Sequence, residues 1–413
     1  MTRLKYFIFF SSFCFNLIFS QIQWQFEKDS LITWYYQEGD EFNGDTLNRS
    51  YWSTWYGWAR SISSNKEQQY YTDKGNHFLK DGKLYLTAKK EKIKKRYVDW
   101  QNDNDSIFNG DKFDGFNLRE FNYSAGLIQA HNDFLYGYFE IKFKNPYQKG
   151  FWPAFWLYGG TPNEEIDWME LKSERDNQVH VGRHCQYKKD NVFRTLFGKK
   201  YWGRWVKFEG SLKEGYNVIS GIWTKDKLKY YLNGECIAIA KTTMSIPKKL
   251  VANIAVSSNN GSFPPAPDDN FKDSAVFEID YIRVWNRYKQ SPRRLNLLNI
   301  QSDENIAGAT EIAKSKLITK DKLHYGKKTN HKNEGFFASM MPEKNQKYQL
   351  TILGKEIPAD GQVFLYTSDK NILYQSSLKY GITTFDLQKY LNENLELKII
   401  AFGKTAEYTF TVY

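Results

Sequence analysis

Short runs in which apolar and polar residues alternate dominate the chain from residue 21 to about residue 287. A side-chain period of two is typical of β-strands, and Gly, Asn, Asp and Pro separate the runs. One run holds Asn233-Gly234 between two β-prone halves, which predicts a tight hairpin. Long amphipathic helical patterns are absent from the sequence. The pattern therefore predicts an all-β domain, a sandwich or barrel of the jelly-roll type.

The alternation stops in a charged, proline-containing stretch, which predicts a linker over 288–300. Strand-like runs such as YQLTILG, GQVFLYTS and LELKIIAFG then continue to the C-terminus. They predict a smaller β-rich module over 301–413, separate from a domain over 21–287. The module has no acidic cluster within a strand, so we expect it to be dispensable for chemistry. Polymer binding, surface attachment and packing against the larger domain remain open as its role.

The first twenty residues carry Arg3 and Lys5 ahead of a short apolar run that ends at Ser20. A basic start followed by a short apolar segment predicts a secretory signal peptide over 1–20 rather than a membrane span. No other segment of the sequence approaches the length needed to cross a bilayer. We therefore expect an exported protein without a membrane-spanning segment.

The composition restricts the possible partners. Aromatic residues make up 17% of the 413 positions, which suits a β-rich protein and a surface that stacks on sugars or bases. The net charge is +11, but the lysines are scattered and no nucleic-acid motif accompanies them, so nucleic acid is not expected. An anionic polysaccharide, a membrane surface or simply a solvated basic face would account for the excess.

Two cysteines, Cys185 and Cys236, remain once the signal peptide is removed. Neither lies in a CxxC pair, which argues against thiol catalysis and structural zinc. One disulfide and two buried free thiols both remain open.

Four acidic residues lie within the seven positions from Glu164 to Glu170, among Ile, Trp, Met and Leu. In a strand, Glu165 and Asp167 share one face, whereas strict alternation would turn Glu170 into the core. One extra residue, a β-bulge, returns Glu170 to the acidic face and turns Met169 away. The stretch therefore predicts a bulged strand with three carboxyl groups on one side.

Three carboxyl groups on one face suit glycoside hydrolysis. In a bulged strand the α-carbons of Glu165 and Glu170 are roughly 13 Å apart, and inward-leaning side chains leave a gap of about 5 Å. That gap matches the ~5–5.5 Å of retaining glycosidases rather than the ~6.5–9.5 Å of inverting ones. Crowding raises at least one carboxyl pKa, so one acid stays protonated while another is ionised. A calcium site and a solvated acidic edge are the alternatives, and Trp168 with Met169 fits a calcium loop poorly.

The segment EIDWME resembles the bulged catalytic motif of glycoside hydrolase family 16. Further blocks agree in order between residues 30 and 287, among them GDEFNG, YSAGLI, YGYFEIKFK, KGFWPAFWLYGG and FEIDYIRVW. The resemblance implies a jelly-roll sandwich whose concave sheet forms a glycan cleft. It also implies that Glu165 is the nucleophile, Glu170 the acid/base and Asp167 the assisting carboxylate.

The resemblance implies further site residues. Those expected to line the cleft or contact sugar are Trp152, Trp156, Tyr158, His184 and Asn253. Asp280 matches an acid that binds a structural calcium in many members of the family. Two departures bear on the substrate: Ser257-Ser258 stand where related β-glucanases often have Gly-Gly-Trp, and Asn217 replaces an expected histidine.

These features together predict an exported retaining endo-β-glycanase. A β-1,3- or mixed-linkage glucan is the expected substrate, and a galactan such as agar, porphyran or carrageenan is the alternative. Transglycosylation is a further outcome of the same intermediate, and a non-catalytic glycan-binding protein is the alternative of another class. We expect a monomer whose partner is a polysaccharide and whose catalysis needs no cofactor.

Overall fold

The computed structural model describes residues 22–57, 59–96, 118–159, 164–185, 201–271, 273–287, 316–317, 335–343, 346–354 and 356–412. The predicted signal peptide over 1–20 and the predicted linker over 288–300 lie outside the described residues.

Strands account for the regular structure of the described residues, apart from two 3₁₀ turns at Ser63–Asn65 and Gln388–Tyr390. No helix within the described ranges is long and apolar enough to cross a membrane. Strands β1 to β18 lie, in chain order, at Ile22–Phe26, Leu31–Asp40, Trp52–Ser53, Gln69–Tyr71, His77–Lys80, Lys83–Arg96, Leu118–Ala125, Leu127–Phe134, Gly137–Lys144, Phe151–Gly159, Glu164–Glu170, Gln178–Cys185, Tyr201–Glu209, Asn217–Trp223, Lys227–Leu232, Glu235–Lys241, Lys248–Val256 and Ser274–Asn286. Strands β19 to β26 lie at Lys316–Leu317, Phe336–Pro342, Lys347–Gly354, Gln362–Thr367, Ile372–Ser377, Gly381–Asp386, Asn394–Ala401 and Lys404–Thr411.

Three sheets organise these strands. The cleft sheet has the order β19-β13-β12-β11-β10-β17-β8-β3. The outer sheet follows the path β16-β15-β14-β9-β18-β2-β1-β20-β21-β24, and β6 joins β4, β5 and β7 to it through β18. The C-terminal sheet has the order β23-β22-β25-β26. This two-layer sandwich with additional C-terminal strands confirms the predicted all-β jelly-roll fold.

The core between the outer and cleft sheets is rich in aromatic rings. Trp168 of the cleft sheet stacks on Phe139 of the outer sheet, with ring centroids 5.6 Å apart, and also contacts Tyr230. All three residues are fully buried. The apolar faces that strand alternation creates thus meet between the two sheets, and this leaves the other face of the cleft sheet open.

The predicted hairpin at Asn233-Gly234 is confirmed. Both residues have positive φ, 49° and 81°, as a two-residue turn between antiparallel strands requires. Gly234 is needed for a second reason, because an added β-carbon would lie 2.2 Å from the backbone nitrogen of Gly354. The hairpin therefore fits tightly against the C-terminal strands.

The C-terminal strands share a sheet and a core with the larger domain. Strand β1 pairs with β2 on one side and with β20 on the other. Trp24 and Phe26 of β1 belong to the hydrophobic core of the C-terminal strands. Phe337 of β20 packs against Tyr138 and Tyr231 of the outer sheet, with ring centroids 5.2 and 5.1 Å apart. The division into 21–287 and 301–413 stays a prediction, with the addition that β1 bridges the two parts.

Cys185 and Cys236 are both buried free thiols, one on β12 of the cleft sheet and the other on β16 of the outer sheet. Of the two possibilities left open by the sequence, the structure has the free thiols.

Candidate active site

A β-bulge interrupts the pairing between β10 and β11. Phe155 lies opposite Met169, and the next residue, Trp156, lies opposite Asp167. Trp168 therefore has no partner of its own on β10. The register of β11 against β12 shifts at the same place. The predicted bulge is confirmed, and Trp168 is the extra residue.

The bulge sets the direction of the acidic side chains. Glu165, Asp167 and Glu170 all line one cleft on the open face of the sheet. Ile166 and Met169 are completely buried on the other side. Without the extra residue, Glu170 would point into the core together with Ile166. The bulge thus brings the third carboxyl group into the cleft.

Gly221 of β14 makes room for the bulged residue. An added β-carbon at Gly221 would lie 2.1 Å from Cε3 of Trp168. This distance is well inside van der Waals contact, so only glycine leaves space for the indole at its present depth. A glycine in the outer sheet thereby supports the geometry of the acids in the cleft sheet.

The cleft has a volume of about 530 Å³, a size that suits small-molecule and sugar binding. The sequence-predicted residues that line it are Glu165, Asp167, Glu170, Trp152, Trp156, Tyr158, His184 and Asn253. Asp280 is a residue of β18 in the outer sheet and is not among the lining residues.

Glu165 and Asp167 form a coupled carboxyl pair. Burial, the charge of Asp167 and a hydrogen bond with that residue raise the pKa of Glu165 well above its ordinary value. Burial and the charge of Glu170 raise the pKa of Asp167 to about 6. The Nε2 atom of His184 lies 3.7 Å from a carboxylate oxygen of Glu165 and 3.7 Å from one of Asp167. The pair therefore retains a proton at a pH where free carboxyl groups have lost theirs.

Glu170 has a different environment. The Nδ1 atom of His180 lies 2.6 Å from Oε2 of Glu170, and Nε2 of His180 lies 3.1 Å from the hydroxyl oxygen of Tyr201. Burial lowers the pKa of His180, but the hydrogen bond and negative charge of Glu170 outweigh it and the pKa is raised. An imidazole that carries its proton beside Glu170 stabilises the ionised carboxylate.

Hydrogen bonds fix the ring of Trp156 on β10. Trp156 donates a 2.8 Å hydrogen bond from Nε1 to Oδ1 of Asn253, whose amide nitrogen donates at 2.9 Å to the hydroxyl of Tyr71. Both ends of the Asn253 amide are therefore engaged. The position predicted to contact sugar fixes the orientation of the Trp156 indole, although it also borders the cleft.

Several cleft residues were absent from the sequence-based set, and four of them carry rings that bear on the site. Phe263 stacks on Trp152 with ring centroids 4.3 Å apart and an angle of 12° between the rings. Tyr201 and Trp205 of β13 are 47% and 37% exposed and line the cleft, as does His180. The alternation in YWGRWVKFE places Tyr201 and Trp205 on one face, which was the available signal. Phe263 lies in a loop and offered none.

Asp280 does not fit the calcium site that the resemblance implies. Its carboxylate contacts the ammonium of Lys142, whose side chain is almost completely buried. The ammonium of Lys142 already balances the negative charge of Asp280, and it would repel a divalent cation. In the described part of the chain, Glu165, Asp167 and His184 form the group of acidic and histidine side chains close enough to share a metal ion. A sugar bound at these acidic residues would occupy the same space.

A two-sheet β-sandwich with three carboxyl groups and several aromatic rings in one cleft defines the class of polysaccharide-binding and polysaccharide-cleaving sandwich proteins. The model of "Glycosyl hydrolases family 16" matches residues 64–283, more than half of the chain. The chain belongs to this family, and the resemblance seen in the sequence is confirmed.

Several proteins are similar to this chain. The endo-1,3-1,4-beta-glycanase ExsH of Rhizobium meliloti is 27% identical over 274 residues, which are 60% of this chain and 50% of that protein. The glucan endo-1,3-beta-glucosidase A1 of Niallia circulans is 28% identical over 288 residues, 60% of this chain and 37% of that protein. The chain thus spans half or less of the length of these two relatives.

A solved structure, the endo-beta-1,3-glucanase of Pyrococcus furiosus, is similar with a TM-score of 0.50 and 25% identity. The match covers 62% of this chain and 95% of that one. More than a third of this chain therefore lies outside the match.

Proposed function

We propose that the protein is a retaining endo-β-glycanase that cuts internal bonds of a β-1,3- or mixed-linkage glucan. The observation that carries this proposal is that the bulge brings Glu165, Asp167 and Glu170 onto one cleft. Family membership supports the chemistry. The activities that the similar proteins are named for, on 1,3- and 1,3-1,4-β-linkages, support the substrate.

Glu165 acts as the nucleophile. For attack on the anomeric carbon its carboxylate must be ionised, and the proton of the coupled pair then resides on Asp167. In the free site the pKa of Glu165 is raised further than that of Asp167, so the shared proton lies on Glu165; it moves to Asp167 when Glu165 ionises, and Asp167 then donates a hydrogen bond to the Glu165 carboxylate. Asp167 thereby stabilises the nucleophile and the carboxylate that leaves when the glycosyl-enzyme is hydrolysed.

Glu170 acts as the acid and then as the base. As the glycosidic bond breaks, its carboxyl group gives a proton to the departing oxygen, and it later takes a proton from the attacking water. His180 stabilises the carboxylate that exists between these two steps, since its Nδ1 lies 2.6 Å from Oε2. Tyr201 holds the imidazole from its other nitrogen. These side chains carry out the reaction without a cofactor.

Aromatic rings in the cleft contribute to substrate binding. The rings of Trp152, Trp156 and Tyr158 line the cleft; Trp152 and Trp156 are buried and Phe263 stacks on Trp152, so the half-buried Tyr158 supplies the more accessible apolar surface for the face of a sugar ring. Residues 1–20 act as a signal peptide that exports the protein, and the exported chain acts as a monomer. The C-terminal strands are dispensable for the chemical steps.

The test is release of reducing ends from laminarin, lichenan, agarose, porphyran and carrageenan by the full exported chain. We expect the highest activity on laminarin or lichenan. Glu165→Gln and Glu170→Gln should each lower kcat by about 10²–10⁴-fold or more, the range of a lost acid, base or nucleophile. Glu214 lies in an exposed turn and is not one of the residues that line the cleft. Glu214→Gln is therefore the matched control and should retain full activity.

Full activity of either cleft variant on a polymer would remove that role from the residue. Wild-type activity confined to agarose, porphyran or carrageenan would replace the glucan by a galactan. Binding of these polymers without release of reducing ends would replace the enzyme by a glycan-binding protein.

A further inference from the structure

The cleft ends at β13 in an exposed aromatic surface. Trp205 is 37% exposed, and its ring lies 5.2 Å from the rings of both His180 and Phe263, measured between centroids. Because His180 binds Glu170, this surface begins next to the acid/base group. A sugar unit that lies beyond the cleaved bond on this side would stack on Trp205 and Phe263.

A cation lies over these rings. The ammonium nitrogen of Lys172 is 5.6 Å from the ring centre of Trp205 and 5.7 Å from that of Phe263. Burial lowers the pKa of Lys172, and the positive charge of Arg175 lowers it more than the negative charge of Glu174 raises it.

A second cation follows on the same strand. Lys207 is exposed and shares its strand face with Trp205, two residues away, whereas Val206 between them is buried. Within the described residues, neither Lys172 nor Lys207 has a carboxylate at ion-pair distance. Two ammonium groups without acidic partners beside an exposed tryptophan form the arrangement that would bind an anionic group on a sugar.

We infer that the β13 end of the cleft is a subsite for a sugar unit bearing an anionic substituent, a carboxylate or a sulfate ester, which Lys172 and Lys207 recognise. This inference rests on the proposed function and narrows it: the backbone cut in the cleft is still a β-glucan, and the unit at this end carries the anionic substituent. Lys172 contacts the oxyanion while Trp205 contacts the apolar face of the ring. A neutral glucan would leave both ammonium groups without a counter-charge.

The experiment measures binding in the full-length Glu165→Gln variant, so that it does not depend on turnover. Three laminari-oligosaccharide preparations of equal length are titrated by calorimetry: unsubstituted, carboxymethylated and sulfated. We expect an anionic preparation to bind about tenfold more tightly than the neutral one at low salt, as one charge-assisted contact provides. The difference should shrink at 0.5 M salt, where the charges are screened.

Substitutions assign the difference to the two lysines. Lys172→Met, added to this variant, should remove most of the anionic preference, and Lys207→Met should reduce it further. Lys172→Arg should keep the preference, which shows that a charge and not lysine's packing is required. Lys227→Met, a partly exposed lysine of β15 in the outer sheet, is the control and should change nothing.

Equal affinity for neutral and anionic preparations would overturn the inference. So would a Lys172→Met variant that lost neutral and anionic ligands in the same proportion, because the lysine would then only support the rings. Comparison of the carboxymethylated and sulfated preparations identifies the anion. Failure of the wild-type chain to cut any polymer would overturn the proposed function but leave this binding result standing.

Discussion

Gly221 of the outer sheet and Trp168 of the cleft sheet are in direct contact across the sandwich. The indole of Trp168 occupies the space that a side chain at position 221 would need. A β-carbon added to Gly221 would lie 2.1 Å from Cε3 of Trp168. Trp168 is also the unpaired residue of the bulge that separates Asp167 from Glu170. The position of the three acidic residues in the cleft therefore depends on a glycine in the other sheet.

Gly221→Ala should lower both stability and activity. The added methyl group must push Trp168 towards the cleft or spread the sheets, and overpacking of this kind costs about 1–3 kcal/mol of unfolding free energy. We expect kcat to fall as well, because Glu170 moves with the bulge. Chemical denaturation and oligosaccharide turnover measure the two effects.

Gly44→Ala is the control for this variant, since an added β-carbon there lies no closer than 3.4 Å to the nearest atom. A second substitution, Trp168→Leu in the Gly221→Ala background, should restore part of the lost stability. Unchanged stability in Gly221→Ala would show that the sheets adjust freely around the indole.

His180→Gln should shift the alkaline limb of the pH–rate profile. In the native protein, the hydrogen bond and negative charge of Glu170 raise the pKa of His180, so the imidazole titrates beside the proposed acid/base residue and its removal takes that group out of the profile. The alkaline limb of kcat/KM, to which loss of the His180 proton contributes in the native protein, should therefore move. A pH series on a chromogenic glucoside measures this shift.

A purely structural role for His180 would lower kcat at every pH without moving the limb. His131→Gln provides the comparison, because that histidine is exposed and its ring binds the backbone carbonyl oxygen of Arg49, away from the acids. It should leave the profile unchanged.

The first product should retain the β-configuration. Because the bulge brings Glu165 and Glu170 onto the same cleft, we expect a glycosyl-enzyme intermediate and two successive inversions. Proton NMR of the earliest products, recorded before mutarotation, identifies the anomer. Azide should partly restore turnover of an activated substrate by Glu165→Gly and give an α-glycosyl azide.

An α-anomer as the first product would contradict the nucleophile assignment. Lack of azide rescue in a folded Glu165→Gly variant would point in the same direction. Glu170→Gly treated in the same way gives the comparison, since azide should there yield a product that keeps the β-configuration.

Phe337→Ala should destabilise the chain without changing its chemistry. Phe337 is buried against Tyr138 and Tyr231 where the C-terminal strands cover the outer sheet. Loss of a buried phenylalanine costs about 3–5 kcal/mol, whereas the cleft lies on the other sheet and should keep its kcat/KM. Phe364→Ala, a half-buried residue of β22, is the control and should cost less.

Removal of all residues after 287 extends the same test. The shortened chain should melt at a lower temperature, because β1 loses its partner β20 and the outer sheet exposes the rings that Phe337 covers. At low temperature it should still cut short oligosaccharides. A folded, stable, inactive chain would assign the C-terminal strands a part in the chemistry.

Local patterns in the sequence were sufficient for the strands, the hairpin and the acidic face. Alternation determines which side chains of one strand point the same way, and this holds before any partner strand is known. The bulge followed from the same rule, because Glu165 and Glu170 share a face only if one residue is added between them. Asn233-Gly234 likewise carries its turn within two residues.

Only the tertiary structure determines which residues from distant parts of the sequence contact one another in and around the site. His180 reaches Glu170 through strand pairing, Phe263 covers Trp152 from a loop, and Lys142 neutralises Asp280 from a neighbouring strand. The pairing of β1 with β20 joins residues more than 300 positions apart. Strand alternation predicts which face of the sheet each side chain points to. It does not predict the register of the strand or its partner strand, because these depend on packing throughout the fold.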